Sequence, residues 1–270
     1  MRTILTAEAH ACPLFTLGAR GRLRGVLGEH VSIASCMIRS GRVVWIGGGA
    51  VDLEALFEAA EQKWFANWQR GPTRRRWTSV PLQVGDEAPD FEVLDSTGRL
   101  RSMSEYRTDR PALLIFWRHF GCGCGVGRAK RLGNEYEQLV DAGANVVVVG
   151  QGEPERAAWY KEKYGVPCPI LCDRDERIYR AYGLLECSPW LLLGNPKPGP
   201  KYFEDVIHEH RAKGRRVADN PFLLPGEFVV DTLGRFILTY RYQYCDNYPD
   251  LQTLVDSIHE AAAGESGQLG

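Results

Sequence analysis

The sequence predicts an α/β fold in which a parallel sheet is extended by an antiparallel hairpin, and three observations carry that prediction. Ala112–Trp117 is an unbroken apolar run, the kind of strand that is buried on both faces. Val146–Val149 is a second such run, and each leads into a stretch with apolar residues at helical spacing. Further on, Glu227–Asp231 and Phe236–Tyr242 flank a Gly234 turn like the arms of a β-hairpin.

Taken in order, Val31–Met37 reads as a strand, Ser40-Gly41 as a turn and Val43–Ile46 as a second strand. Gly47-Gly48-Gly49 lacks the spacing of a nucleotide fingerprint and reads as a tight turn. A helix over Asp52–Trp68 follows, with Asp52 as N-cap and Leu53, Leu56, Phe57, Ala60 and Phe65 as its apolar stripe. Arg70–Trp77 carries Gly, Pro and a run of arginines without periodic apolar residues, which marks a solvated boundary. Beyond it come the Ala112 strand, a helix over Cys124–Asp141, the Val146 strand, a helix over Glu153–Tyr164 and a short strand, Pro169–Leu171. A short helix spans Arg174–Tyr182. Residues 186–220 are irregular, with one helical piece around Tyr202–Lys213. The hairpin and a final helix over Asp250–Ala263 complete a βαβα–hairpin–α order, the thioredoxin-like arrangement. The expected division is a small N-terminal α/β module (1–75), a linker (76–83), a thioredoxin-like domain (84–263) with an insertion at 186–220, and a flexible tail (264–270). No motif assigns a role to the first 80 residues.

Composition removes several function classes. Hydrophobic residues make up 44% and charged residues 25%, enough for a packed core. Lys and Arg number 33 against 34 Asp and Glu, so no whole-molecule field favours nucleic acid or an anionic membrane. No apolar run approaches the roughly 18–20 residues that span a bilayer. Met1–Phe15 is broken by Arg2, Glu8 and His10 and is a poor signal peptide, so a cytoplasmic chain is expected. Such a chain does not keep eight thiols as stable disulfides, which directs attention to cysteine chemistry.

The densest chemical signal is Phe116-Trp117-Arg118-His119-Phe120-Gly121-Cys122-Gly123-Cys124-Gly125, where an apolar strand hands over to a helix. The positive end of a helix favours a thiolate, and Arg118 and His119 can add charge. A thiolate is the attacking species in thiol–disulfide exchange and peroxide reduction. The bland alternative is a pair of buried small residues in a Gly-rich turn.

These residues, together with Gly85-Asp86-Glu87-Ala88-Pro89-Asp90-Phe91, Asp173-Arg174-Asp175 with Tyr179, Tyr182 and Gly183, Gly226–Asp231 and Asp246–Leu251, carry a resemblance. Residues 84–262 resemble the peroxiredoxins, and within them the peroxiredoxin-like 2 group of the AhpC/TSA class, which includes selenoprotein U. The resemblance implies a thioredoxin-type fold, an antioxidant or thiol-oxidoreductase activity, a thioredoxin- or glutathione-type reductant, a peroxide or disulfide substrate and a homodimer. It implies Cys122 as nucleophile, Cys124 as its partner, and Arg118 or His119 as the thiolate-stabilising cation. Two departures stand out. The family's Pro-x-x-x-Thr/Ser-x-x-Cys would place Pro and a hydroxyl at Ile115 and His119 for Cys122, or at Trp117 and Gly121 for Cys124. The group's Cys-x-x-Cys is here Cys-x-Cys.

Cys172, at the end of a parallel strand, and Cys187, at the start of the irregular segment, are candidate resolving cysteines. Cys168, Cys12, Cys36 and Cys245 read as buried small residues. Pro225 stands where thioredoxin-like folds place a cis-proline against the redox cysteines, and is expected to shape the substrate groove, with cis and trans both open. The redox reading needs no cofactor. Two alternatives remain: a non-catalytic binding module, and a zinc or iron–sulfur protein ligated by Cys122, Cys124, Cys168 and Cys172. His208 and His210 lie two apart on an expected helix and so point to different faces.

Overall fold

The computed structural model describes residues 49–193 and 208–266, together with four short strands among the first 48 residues. Those strands are β1 (Thr16–Leu17), β2 (Leu23–Arg24), β3 (Cys36–Met37) and β4 (Val43–Ile46). β4 pairs with β3 and with β5 (Gly49–Asp52), both antiparallel. Of the expected Val31–Met37 strand, only Cys36–Met37 lies within the described residues, and Cys12 lies outside them.

Helix α1 (Leu53–Arg70) begins as its sequence predicts: the Asp52 carboxylate accepts the N–H groups of Glu54 and Ala55. After it come β6 (Glu92–Leu94), β7 (Leu100–Ser102), β8 (Ala112–Phe116), α2 (Gly123–Asp141), β9 (Asn145–Gly150) and α3 (Pro154–Tyr164). β10 (Ile170–Cys172), α4 (Arg177–Ala181), α5 (Pro189–Leu193), β11 (Gly226–Val230), β12 (Phe236–Arg241) and α6 (Leu251–Ser266) complete the order. The central sheet has the order β10-β9-β8-β11-β12. β10, β9 and β8 are parallel, while β11 runs antiparallel to both β8 and β12. Among the described residues no helix is long and apolar enough to cross a membrane.

Strand alternation divides the core between the two faces of this sheet. Leu113, Ile115, Val146, Val148, Ile170 and Val229 face α2, α3 and α6. Leu114, Phe116, Val147, Val149, Phe228 and Val230 face Tyr179, Tyr182 and Met103 on the other side. All five residues of β8 are buried, and burial of a large apolar side chain contributes about 1.5–3 kcal/mol. The strand that delivers the Cys122 turn is therefore a rigid support.

One face of helix α1 is buried against the rest of the core. Its Leu53 and Phe57 join the core around α3, and Trp64 and Trp68 pack on Val217 and Phe222. The Ala60 carbonyl accepts the Asp219 N–H, and Asn67 donates to the Asp219 carbonyl. The boundary segment is docked at a few points, while Arg75, Arg76 and Trp77 stay exposed as a solvated boundary would. Thr73 and Arg74 donate backbone N–H groups to the Glu186 carboxylate, and Trp77 donates to the Gly183 carbonyl.

The last part of the expected irregular insertion is a buried strap. Residues 217–224 are buried, and Asp219 is clamped by both terminal nitrogens of the fully buried Arg156 at 2.8–2.9 Å. A helical stretch covers residues 208–212, while Tyr202 and the start of its expected helix lie outside the described residues.

Candidate functional site

Between the end of β8 and the start of α2 the chain turns through Trp117–Gly121. The turn is fixed on several sides. Tyr179 donates its hydroxyl to the carbonyls of Trp117 and Val149. Gln151 donates to the Arg118 carbonyl and accepts the Asn220 N–H at 3.0 Å, which ties the turn to the strap. Gly121 is required for contact: a Cβ there would fall 1.5 Å from the Arg216 carbonyl oxygen.

Asp173 supports Tyr179 in turn, accepting the backbone N–H groups of Arg177, Ile178 and Tyr179. Burial pushes its carboxyl up to about 6, against the opposing pull of those N–H donors. Folded protein then binds more protons than unfolded chain between about pH 4 and pH 6, so stability falls as pH rises through that window. The expected loss is about 3 kcal/mol, read by denaturant titration across that range. Asp173→Asn should remove the slope.

Cys122 is the N-cap of α2 and Cys124 sits in its first turn, so both sulfurs lie at the positive end of a 19-residue helix. They are joined as a disulfide with Cα atoms 5.4 Å apart. Cys122 is buried, while Cys124 is partly exposed. Arg118 reaches both. Its Nη1 donates to Cys122 Sγ at 2.8 Å and lies 3.7 Å from Cys124 Sγ, while Nε and Nη2 donate to the Pro221 carbonyl. Burial pushes its pKa down, with the sulfurs of Cys187 and Cys245 opposing. Even so, a guanidinium in a protein stays charged. Among the described residues no carboxylate forms an ion pair with Arg118.

His119 has a different part. Its Nδ1 accepts the Gly121 N–H, and burial, together with the Arg118 charge, holds the ring well below its usual pKa. The imidazole is neutral and shapes the turn. Of the two candidate cations, only Arg118 is charged against the sulfurs.

A shallow cleft opens over Cys124, lined among others by Trp117, Arg118, Pro225, Tyr242 and Cys245. Pro225 lines it with a trans peptide: no cis bond occurs among the described residues. Beneath the cleft, Arg128, one helical turn after Cys124, forms a two-pronged pair with the fully buried Glu227 at 2.8 and 3.0 Å. Tyr242 donates to the same carboxylate, and Glu135 lies 3.3 Å from Arg128. Burial works to lower the Arg128 pKa, but the charge and hydrogen bonds of Glu227, together with Tyr242 and Glu135, outweigh it and the net shift is upward.

A sequence profile of the AhpC/TSA family matches residues 84–235. The chain belongs to the AhpC/TSA family. Peroxiredoxin Bcp of Escherichia coli is 26% identical over 104 residues, 38% of this chain and 66% of Bcp. Thiol-disulfide oxidoreductase ResA of Geobacillus thermodenitrificans is 32% identical over 105 residues, 38% of this chain and 59% of ResA. The matches thus span less than two thirds of the length of these curated relatives. Among solved structures, a PrxQ variant from Xylella fastidiosa aligns with a TM-score of 0.49 at 13% identity, covering 68% of this chain and 99% of that one.

Within this AhpC/TSA chain the four other cysteines with described side chains fall into two groups. Cys168 and Cys172 belong to the apolar core, where burial pushes the Cys168 thiol up to about 12 and also raises Cys172. Neither lines the cleft. Among the described residues no group of three or more His, Cys, Asp or Glu side chains is placed to hold a metal ion, so the four-cysteine ligand set is not assembled. Its reason is topological: Cys168 precedes β10 and Cys172 ends it inside the core, while Cys122 and Cys124 lie at the start of a helix at the cleft.

Cys187 and Cys245 belong with Arg118. Cys187 is buried, and its N–H donates to the Phe222 carbonyl beside Pro221. Burial pushes its thiol up to about 11, with Arg118 opposing. It is buried, although it stands at the start of the segment that the sequence reads as irregular. Cys245, read from sequence as a buried bystander, lines the cleft and is partly exposed. The one sequence signal for it is its place just before Asp246–Leu251, a stretch that carries part of the family resemblance.

Proposed function

We propose that this protein is a thiol–disulfide oxidoreductase in which Cys122 and Cys124 cycle between disulfide and dithiol. One observation carries the reading: a buried guanidinium that has no carboxylate partner among the described residues is held 2.8 Å from Cys122 Sγ at the positive end of α2. Placing an unpaired cation in the interior is costly, and a thiolate at Cys122 would neutralise it. When an incoming thiolate attacks Cys124, the sulfur that lines the cleft, the Cys124–Cys122 bond breaks and Cys122 leaves as a thiolate. Leaving is faster the lower the pKa of the departing thiol, which is what Arg118 and the helix dipole supply. In the reverse direction Cys122 is the nucleophile. Pro225 and Tyr242 border the groove where a partner's cysteine would lie.

The reductant class is a thioredoxin- or glutathione-type thiol and the substrate class a disulfide. Peroxide reduction is the weaker reading, because the family's peroxide-orienting hydroxyl position is occupied by His119, which is buried and neutral.

Differential alkylation followed by peptide mass mapping tests this. After mild reduction, Cys122 and Cys124 should be labelled, and oxidised glutathione should restore a Cys122–Cys124 disulfide. If both stay unreactive, or never oxidise, the reading fails.

A further inference from the structure

Arg118 is surrounded by more sulfur than a two-cysteine cycle requires. Cys245 shares the cleft with Cys124, and the loop that carries it is fastened to the same helix. Arg131, two turns along α2, lies over the Tyr248 ring at 4.3 Å and donates to the Pro249 carbonyl at 3.2 Å. The loop is also closed on itself: Asn247 donates its N–H to the Tyr244 carbonyl and its amide to the Tyr240 hydroxyl, and accepts from Gln243 N–H. Cys245 is thus held at the cleft by its own supports. Cys187 is fixed from the other side. Its backbone pairs with Phe222, next to the Pro221 carbonyl that receives Arg118. Its sulfur is within Coulombic reach of both Arg118 and Cys245.

We propose that Cys245 is a redox thiol of this site, and that oxidising equivalents pass from the Cys122–Cys124 pair through Cys245 to Cys187. The proposal rests on the oxidoreductase reading above. In the first step Cys245 gives its proton to solvent and attacks Cys124 Sγ. The Cys124–Cys245 bond forms, the Cys122–Cys124 bond breaks, and Cys122 departs as a thiolate beside Arg118. In the second step Cys187 gives its proton to solvent and attacks Cys245 Sγ. The Cys187–Cys245 bond forms, the Cys124–Cys245 bond breaks, and Cys124 departs as a thiolate that takes up a proton from solvent. One disulfide is consumed and one is made, so no outside oxidant is needed. The relay leaves the Cys122–Cys124 pair reduced and ready for another oxidising substrate. Its end product places a disulfide at partly exposed Cys245, where a dithiol partner can collect it.

The test uses the full chain with oxidised glutathione as probe and non-reducing peptide mapping as readout. In wild-type protein the map should contain a Cys187–Cys245 disulfide. In Cys122→Ser with Cys187→Ser, where both the internal leaving group and the final acceptor are gone, Cys124 takes up glutathione and Cys245 displaces it, so a Cys124–Cys245 cross-link should accumulate. In Cys245→Ser, oxidation of Cys187 should fall by about tenfold or more, since its only relay is removed. If the Cys122–Cys124 disulfide forms in wild type while Cys245 stays fully alkylatable in every arm, the relay is overturned and the oxidoreductase reading stands. If Cys122 and Cys124 never oxidise, both fall.

Discussion

Arg118→Met is expected to raise the Cys122 thiol pKa by about 1–3 units in the reduced protein, because the substitution removes the guanidinium held 2.8 Å from that sulfur. At neutral pH the thiolate fraction then falls by about tenfold or more, and reduction of the disulfide slows because the leaving thiol is more basic. Stability should move far less than reactivity. Arg118 has no carboxylate partner among the described residues, so its removal leaves no orphaned charge. What it leaves is the Pro221 carbonyl without a donor, a cost of about 1–3 kcal/mol. Exchange kinetics with a small-molecule disulfide, measured beside a denaturant titration, separates the two effects. A variant that exchanges at the wild-type rate would show that the guanidinium is structural. Arg118→Lys should recover part of the rate, because it keeps a charge but loses the fork that grips Pro221.

The largest stability effect is expected one turn further along α2. Arg128→Met strips the fully buried Glu227 of its guanidinium and should cost about 3–5 kcal/mol, the usual penalty for leaving a buried charge uncompensated. The double variant Arg128→Met with Glu227→Leu removes both charges and should recover most of that loss. Tyr242 loses its acceptor in the double variant, so recovery is incomplete. Equal destabilisation of single and double variants would mean that packing, not charge, dominates there. Pro225 and Tyr242 flank this pair at the cleft, so the single variant should also loosen the groove over Cys124.

Much of this architecture is legible in the sequence because it follows from local patterns. The apolar runs of β8 and β9, the Asp52 cap and the Gly234 hairpin each state their structure within a few residues. The cysteine pair is legible too, since a Gly-rich strand-to-helix turn is visible in the chain itself. What escapes is set by partners distant in sequence. The strap around Asp219 looks like a polar loop until Arg156, 63 residues away, neutralises it inside the core. α1 reads as part of a separate module because nothing local reveals that Trp64 and Trp68 meet Val217 and Phe222. The β6–β7 pair is missed because each strand is only three residues long. Cys245 is missed for the same kind of reason, its place at the cleft being fixed by Arg131 on α2. His119 shows the opposite failure: adjacency to Arg118 suggested a second cation, but burial beside a fixed positive charge keeps it neutral.

The central claim is that Cys122 is a stabilised thiolate in the reduced protein. It is tested most directly by the pH dependence of its alkylation rate, followed at that cysteine by peptide mass spectrometry. An inflection at least about one unit below the ordinary thiol value of about 8.5 is predicted. An inflection at or above that value would contradict the account.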